Sequence, residues 1–301
     1  MTSPQAREVR QIGGLGEISE RYDAVFCDIW GVLHNGVAAF PAASEALVSF
    51  RRGGGSVVLI SNAPRPSEPV RRQLLEIGVT PDAYDAIATS GDVAASLIAE
   101  RIDDPVLHIG PSRDLSLFEE ATGLTGRKPV LVAIKDARYS VCTGLRDDVR
   151  ETADDYEAEL RAMADTGMTM ICANPDVVIH RGDTLVYCAG ALAQKYEQLG
   201  GLVVYAGKPH GPIYKRATAL VERARSNELR KGRILAVGDG MKTDIAGAAG
   251  AGLDSLFVTS GIHRDALHRG LVGDRADADQ LTKLCREWDL WPSWAIGALR
   301  S

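Results

Sequence analysis

The stretch AVFCDIWGVLHNG, residues 24–36, places a carboxylate directly after an apolar run. The letters AVFC favour a buried β-strand, and Asp28 follows them. A buried carboxylate without a partner costs several kcal/mol, so a side chain such as Asp28 needs a partner or a function at this position. Trp30 lies two residues after Asp28. Its indole offers one N–H donor and no usable acid or base.

Further apolar runs resemble this one and alternate with segments of helical periodicity. Near-continuous Val/Ile/Leu runs are typical of parallel strands covered by helices on both faces. The alternation predicts an α/β protein with a doubly wound parallel-sheet core. The predicted core strands are 24–30, 56–62, 202–207, 233–239 and 254–260. The predicted helices are 43–52, 66–78, 211–225 and 242–252.

A second α/β series lies between the second and third of these strands. Its strand-like runs are 106–110, 130–134, 139–144 and 168–176. The order predicts a core domain of residues 1–91 plus 206–301, into which a smaller α/β cap domain of residues 92–205 is inserted. An amphipathic helix over 278–290 is followed by the tail WPSW, which we expect to pack against the core or to form a homodimer contact.

Composition excludes several classes of protein. With 301 residues, 45% of them hydrophobic, the chain can build a sizeable core. The net charge of -6 argues against a nucleic-acid partner. We find no apolar run of the roughly 18 residues that span a bilayer, so no membrane partner is expected. Five scattered cysteines without a C-x-x-C pair indicate buried thiols in a reducing compartment, which favours a cytoplasmic location.

Polar side chains collect where the predicted core strands end. In open α/β sheets, ligands bind outside the carboxyl ends of the strands. A carboxylate, a hydroxyl and an ammonium group at these ends suit phosphoryl transfer, which needs a nucleophile, charge neutralisation and usually a divalent ion. The side chains concerned are Asp28, Ser61, Asn62, Lys208 and Asp239.

Each of these residue types has a chemical role in such a reaction. Asp28 can attack phosphorus and form an acyl phosphate, and Asp28 with Asp239 can hold Mg²⁺. Lys208 and Ser61 can bind the phosphoryl oxygens, as can backbone N–H groups after Ser61. Asp244 has two interpretations. It could hold Lys208 or a metal-bound water, or it could be a carboxylate near a helix start, where the helix dipole favours a negative charge.

Four motifs resemble, in order, those of the haloacid dehalogenase (HAD) superfamily. The insertion between the second and third motif is similar to the class II arrangement, and Asn174–Asp176 (NPD) resembles subfamily IIA, the NagD-like phosphatases. The four motifs are D-x-x-G-V-L at 28–33, L-I-S-N at 59–62, G-K-P at 207–209 and V-G-D-x-x-x-x-D at 237–244.

The resemblance implies an aspartyl-phosphate mechanism, Mg²⁺ dependence, a mobile cap and a small phosphorylated metabolite as substrate. It makes Asp28 the nucleophile, Ser61 and Lys208 ligands of the phosphate, and Asp239 a metal ligand. We also expect Asn62 to be one of the residues that bind the phosphate or the substrate. A loop carrying Asn174 and Asp176 would face the substrate, although Asn-Pro-Asp is also a common turn.

Trp30 departs from the family pattern. Members typically carry a second aspartate at this position, which acts as general acid and base; its loss costs typically about 10²–10⁴-fold in rate. The same position lends its backbone carbonyl to Mg²⁺, which Trp30 retains. We therefore expect a slow phosphatase restricted to good leaving groups, unless His34 substitutes as the acid or the site serves only to bind.

Alternative functions remain open at this point. A non-catalytic phospholigand-binding or regulatory protein on the same scaffold is favoured by Trp30 and opposed by the intact Asp28, Lys208 and Asp239. Hydrolytic dehalogenation also uses an aspartate nucleophile but works without Mg²⁺. A dinucleotide site is disfavoured, because the glycine runs at 13–17 and 53–56 lack G-x-G-x-x-G spacing.

Overall fold

Two sheets of parallel strands organise the chain, and a hairpin accompanies the second sheet. The computed structural model describes residues 8–181, 184–225, 229–268 and 275–301. Its strands are β1 (Arg10–Gln11), β2 (Ala24–Asp28), β3 (Ser56–Ser61), β4 (Ala86–Thr89), β5 (Val106–Ile109), β6 (Tyr139–Cys142), β7 (Thr169–Cys172), β8 (Val178–Arg181), β9 (Thr184–Tyr187), β10 (Leu202–Tyr205), β11 (Ile234–Gly238), β12 (Asp254–Val258) and β13 (Trp294–Ile296).

The helices lie largely where the periodicity predicts them. They are α1 (Pro41–Arg52), α2 (Ser67–Ile77), α3 (Ser90–Ala99), α4 (Ser116–Thr125), α5 (Glu157–Asp165), α6 (Ala189–Gln198), α7 (Gly211–Arg225), α8 (Ala246–Ala251), α9 (Arg264–Leu267) and α10 (Ala278–Trp288). A π-helical turn over Met241–Ile245 precedes α8, so the helix predicted at 242–252 is confirmed with an irregular start. Asp277 directly precedes α10 as its N-cap, and its side chain accepts a hydrogen bond from Gln280 N–H.

Contacts divide the chain into two compact units. The first unit contains Met1–Ile60, Leu74–Ile87 and Ala217–Ser301, and the second contains Ser61–Gln73 and Ala88–Arg216. The division into a core of 1–91 plus 206–301 and a cap of 92–205 stays a prediction.

The larger sheet has the strand order β1-β13-β12-β11-β2-β3-β4. All five residues of β2 are buried, and β2 pairs in parallel with both β11 and β3. Apolar side chains on both faces explain this central place, because a parallel strand between two helical layers contacts no water. The predicted α/β fold with a doubly wound parallel sheet is confirmed.

The smaller sheet has the order β10-β7-β6-β5, again with parallel pairs. Assigning 202–207 to the core sheet was wrong, because β10 pairs with β7. Leu202 is 65% exposed and Val204 39% exposed, as on an edge strand, and a short apolar run does not distinguish an edge from an interior strand. Residues 130–134 were also predicted as a strand, but they form only a single bridge, from Leu131 to Val106.

The C-terminal tail joins the larger sheet. β13 pairs in parallel with β12 and with β1. Trp294 is buried, and its Nε1–H donates a hydrogen bond to the Tyr22 hydroxyl at 2.8 Å. The predicted packing of the tail against the core is confirmed.

Two sequence-based expectations concern the cysteines and a membrane-spanning helix. All five cysteines are buried thiols, and burial raises the pKa of Cys142 to about 12. Among the described residues, no helix combines the length and apolar character needed to cross a bilayer.

His108 on β5 makes the stability of the fold depend on pH. Its Nε2 lies 3.0 Å from Thr143 Oγ1, and its ring meets Phe118 edge-on at 5.2 Å. Burial, with a smaller contribution from the Arg146 charge, lowers the pKa of His108 to about 4. In the unfolded chain a histidine has a pKa of about 6.5, so protons bind more tightly to the unfolded state.

We therefore expect full stability above about pH 6.5 and a progressive loss as the pH falls towards about 4. At about pH 4.5 the loss due to His108 should be about 2 kcal/mol, since the ring keeps some contact with water. Urea unfolding of the wild type and of His108→Gln, at neutral and at acid pH, measures how the free energy of unfolding depends on pH in each protein. An identical pH dependence in both proteins would contradict the assignment.

Candidate active site

Asp28 and Asp239 lie at the carboxyl ends of neighbouring strands, at the same edge of the larger sheet. Asp28 is the last residue of β2, and Asp239 directly follows β11. Because β2 and β11 are paired and parallel, their carboxyl ends meet at this edge. Both side chains are only 7% exposed.

Asp244 completes a cluster of three acids. It lies in the π-helical turn after β11, where its Oδ2 accepts hydrogen bonds from Gly240 N–H at 3.0 Å and from Thr243 Oγ1 at 3.2 Å. One carboxylate oxygen from each of Asp28, Asp239 and Asp244 lies within 4.8 Å of the other two. All three residues are buried.

This donor set fits a hard divalent cation. Carboxylates crowded together repel each other when ionised, and a cation between them removes that repulsion. Oxygen ligands are those that Mg²⁺ and Ca²⁺ take, and Mg²⁺ commonly uses only one or two carboxylates and keeps several waters. The acid cluster can therefore hold such an ion.

Glycines bring the backbone against the carboxylates of the cluster. A Cβ added at Gly31 or at Gly261 would overlap Oδ2 of Asp239, and one added at Gly238 would overlap the carboxyl group of Asp244. Gly31 has φ +80°, a conformation that side-chain-bearing residues rarely adopt. The same Asp239 Oδ2 accepts a hydrogen bond from Ile262 N–H at 2.8 Å.

Sequence reasoning missed these supporting groups. Gly31 had a usable signal, because it follows the nucleophile candidate within the first motif. Gly261 and Ile262 had none, because they come after β12, about twenty residues beyond Asp239, and only the folded sheet brings them to its carboxylate.

Trp30 lies on the loop that leaves β2, and its side chain is 42% exposed. Its ring meets the His34 ring edge-on, with centroids 5.2 Å apart and an angle of 78°. On another side the indole lies against Gly36, where an added Cβ would overlap the ring. A hydrogen bond from Gly31 N–H to the His34 carbonyl, 2.9 Å long, closes the loop.

His34 has the surroundings of a structural histidine. It is 3% exposed, and its Nδ1 accepts a hydrogen bond from Gly36 N–H at 2.9 Å. Burial lowers the pKa of His34, which favours the neutral ring. A general acid must hold a proton near the working pH, so this environment opposes His34 as a substitute for the missing aspartate.

The second unit gathers the other candidates around Asn62. The Asn62 side chain accepts a hydrogen bond from Lys208 N–H at 2.7 Å, and its Nδ2–H groups donate to the Lys208 carbonyl at 3.2 Å and to Asp176 Oδ1 at 2.8 Å. Asn62 is 5% and Lys208 3% exposed. The amide thus ties the second motif to the third and to the Asn-Pro-Asp loop.

Two further candidates of this unit have local partners. Asn174 Oδ1 accepts a hydrogen bond from Asp176 N–H at 3.1 Å, so Asn-Pro-Asp forms a turn. Ser61 Oγ accepts one from Ala63 N–H at 3.2 Å. The structure therefore brings Asp28, Asp239 and Asp244 together in the first unit, and Asn62, Lys208 and Asp176 in the second.

Comparison with known proteins identifies relatives of the whole chain. A family model described as haloacid dehalogenase-like hydrolase matches residues 25–123, and a HAD-hydrolase-like model matches residues 205–282. A crystal structure of a haloacid dehalogenase-like hydrolase from Brucella suis is 40% identical, with a TM-score of 0.81, and the match covers 96% of this chain and 99% of that one.

Characterised relatives are more distant. Ribonucleotide monophosphatase NagD of Escherichia coli K12 is 27% identical over 242 residues, which are 79% of this chain and 88% of the relative. Glycerol phosphate phosphatase of Mycobacterium tuberculosis, solved in complex with magnesium, is 25% identical with a TM-score of 0.62; that match covers 83% of this chain and 72% of the other.

Proposed function

The chain belongs to the haloacid dehalogenase superfamily as a NagD-like phosphoric monoester hydrolase, and we propose that it is a Mg²⁺-dependent phosphatase limited to good leaving groups. The proposed substrate is a small phosphorylated metabolite, hydrolysed through an aspartyl phosphate on Asp28. The observation that carries the proposal is the buried acid cluster of Asp28, Asp239 and Asp244, with oxygens within 4.8 Å of one another.

Asp28 is the proposed nucleophile. One of its carboxylate oxygens attacks phosphorus, the bond between phosphorus and the leaving-group oxygen breaks, and an aspartyl phosphate forms. Water then attacks the phosphorus of this intermediate, and the bond from phosphorus to the Asp28 oxygen breaks. Inorganic phosphate leaves and the carboxylate is restored.

The acid cluster would hold the magnesium ion, together with the backbone carbonyl of Trp30. When bound, the ion neutralises negative charge on the phosphoryl oxygens. Asp239 is held in place for this by Ile262 N–H and by the glycine backbones beside it. Asp244 is held by Gly240 N–H.

Lys208 and Ser61 are the proposed ligands of the phosphoryl oxygens. The Lys208 ammonium supplies a positive charge, and the Ser61 hydroxyl supplies a donor. Asn62 supports Lys208, because its amide makes two hydrogen bonds with the Lys208 backbone. Asn174 and Asp176 are proposed to contact the substrate, and a homodimer stays a prediction.

Trp30 sets the limit on leaving groups. With an indole at the position of the usual acid, no proton is delivered to the departing oxygen. The leaving group departs as an anion, which is easy for a phenol or a carboxylic acid and difficult for a sugar hydroxyl. Slow turnover of alkyl phosphates follows.

Trp30→Asp should therefore raise kcat for an alkyl phosphate such as glycerol 3-phosphate by roughly 10²-fold, because it restores a general acid and base. The gain should be smaller for p-nitrophenyl phosphate, whose leaving group needs no proton, because only the attack of water on the aspartyl phosphate is then assisted. Phosphate release with both substrates measures the effect. Trp30→Asn is the matched control, since it opens the same space without an acid. An equal gain in both variants, or wild-type turnover of alkyl and aryl esters at one rate, would contradict the missing-acid argument.

A phospholigand-binding protein on the same scaffold is the second candidate, and Trp30 is the observation that favours it. Beryllium fluoride mimics the phosphoryl group on an aspartate. An enzyme binds it at Asp28 with Mg²⁺ and also turns over aryl phosphates, whereas a binder shows no turnover of any ester. Loss of activity with EDTA and its return with Mg²⁺ distinguishes the phosphatase from a metal-independent dehalogenase.

A further inference from the structure

Exposed apolar side chains in the first unit concentrate near the acid cluster. Among its described residues, four large apolar side chains are exposed: Trp30 (42%), Val37 (83%), Leu75 (48%) and Ile262 (69%). Leu75 lies on α2. The other three lie on the two loops that contact Asp239, one after β2 and one after β12. Isolated exposed apolar residues are normal, but their concentration beside one charged site needs a reason.

Two backbone contacts place Trp30 and Ile262 next to the same carboxylate in the chain. Gly31, the neighbour of Trp30, lies against Oδ2 of Asp239, and Ile262 N–H donates to that oxygen at 2.8 Å. Both side chains therefore begin within one residue of a direct contact with the cluster. Val37 follows Gly36, whose backbone supports the indole. The three side chains, which we call the apolar rim, lie on the two loops whose backbones contact Asp239.

The indole of Trp30 packs against two neighbours although it is exposed. Its ring is fixed on one side by Gly36, which has φ +88° and no side chain to displace it. The His34 ring fixes it edge-on at 5.2 Å, and Asn35 Oδ1 holds the turn by accepting hydrogen bonds from Val37 N–H at 3.0 Å and Ala38 N–H at 2.9 Å. A fixed, exposed aromatic face binds flat groups at little entropic cost.

We propose that the apolar rim binds the leaving group, so that the substrate is the phosphate monoester of a planar, apolar alcohol rather than a sugar phosphate. The planar group stacks on Trp30, while Val37 and Ile262 contact its edges. Sugar hydroxyls would lose water against these three side chains without gaining hydrogen bonds. The inference rests on the proposed phosphatase function and adds the class of substrate to it.

Kinetics separates this proposal from the leaving-group argument. Phenyl phosphate and acetyl phosphate both release good leaving groups, but only phenyl phosphate carries an aromatic ring. Trp30→Leu should raise KM for phenyl phosphate about tenfold with little change in kcat, and should leave KM for acetyl phosphate unchanged. Ile262→Ser should act in the same direction, and Leu75→Ser is the matched control on α2.

A binding measurement tests the rim without turnover. In the Asp28→Asn variant, phenyl phosphate should change the fluorescence of Trp30 in a saturable way, and inorganic phosphate should not. The change should vanish in Asp28→Asn with Trp30→Phe and persist with Trp288→Phe. Saturable binding without hydrolysis by the wild type would support the rim and reject the phosphatase. Hydrolysis with no fluorescence change, or equal KM effects on phenyl phosphate and acetyl phosphate, would overturn the rim alone.

Discussion

Asp28→Asn abolishes hydrolysis of every phosphate ester, with a fall in kcat of roughly 10⁴-fold or more, since a neutral amide cannot form the acyl phosphate. The change removes one of three crowded negative charges, so the fold should keep or gain stability. Phosphate release with p-nitrophenyl phosphate and the urea midpoint are the two measurements. Together they separate a chemical defect from unfolding.

The matched control for this substitution is Asp279→Asn. Asp279 lies on α10 and is exposed, so the same change of charge should leave kcat within a factor of about two. Residual activity of Asp28→Asn within tenfold of the wild type would rule out a covalent intermediate on this carboxylate. Mass spectrometry of acid-quenched wild-type enzyme should then also lack a phosphorylated peptide containing residue 28.

Gly31→Ala is expected to cost about 10²-fold in activity and to weaken magnesium binding, because the new methyl group displaces the Asp239 carboxylate that it overlaps. A displacement of this kind disturbs the acid cluster directly, although residue 31 has no functional group of its own. Calorimetric titration with Mg²⁺ and kcat for p-nitrophenyl phosphate measure the two effects.

Gly54→Ala isolates the steric part of that effect. Gly54 has φ +91°, close to the +80° of Gly31, but an added Cβ there meets nothing within 4 Å. Both variants carry the backbone cost of about 1–2 kcal/mol for a left-handed residue, and only Gly31→Ala should lose magnesium. If both variants bind the ion equally well, Gly31 does not shape the site.

The pattern of apolar residues predicts where the central strands lie, but it does not predict which distant strand each one pairs with. β2, β3, β11 and β12 are continuous apolar runs with few alternatives, and their positions follow from the sequence. β10 has the same pattern as these strands, yet it pairs with β7 in the smaller sheet. The hairpin of β8 and β9 was not predicted, because each strand has only four residues and apolar runs of that length do not distinguish a strand from a loop.

The positions of the charged candidates can be predicted from the sequence, whereas their roles stay predictions. The positions of Asp28 and Asp239 at strand ends follow from parallel pairing, and the structure brings both together with Asp244. The bonding of Asn62 did not follow, because its partners Asp176 and Lys208 lie more than a hundred residues away. The exposure of the apolar rim could not be predicted from the sequence either, since Val and Ile side chains are most often buried.

The pairing of β2 with β11 has a consequence for biosynthesis. The two strands are roughly 200 residues apart in the sequence, and ribosomes add about 5–20 residues per second. β2 thus waits about 10–40 s for its neighbour after it has emerged from the exit tunnel. Throughout that interval the apolar residues of β2, which end at Asp28, have only β3 as a possible neighbour in the larger sheet, so nascent chains should depend on holding chaperones until translation passes β11.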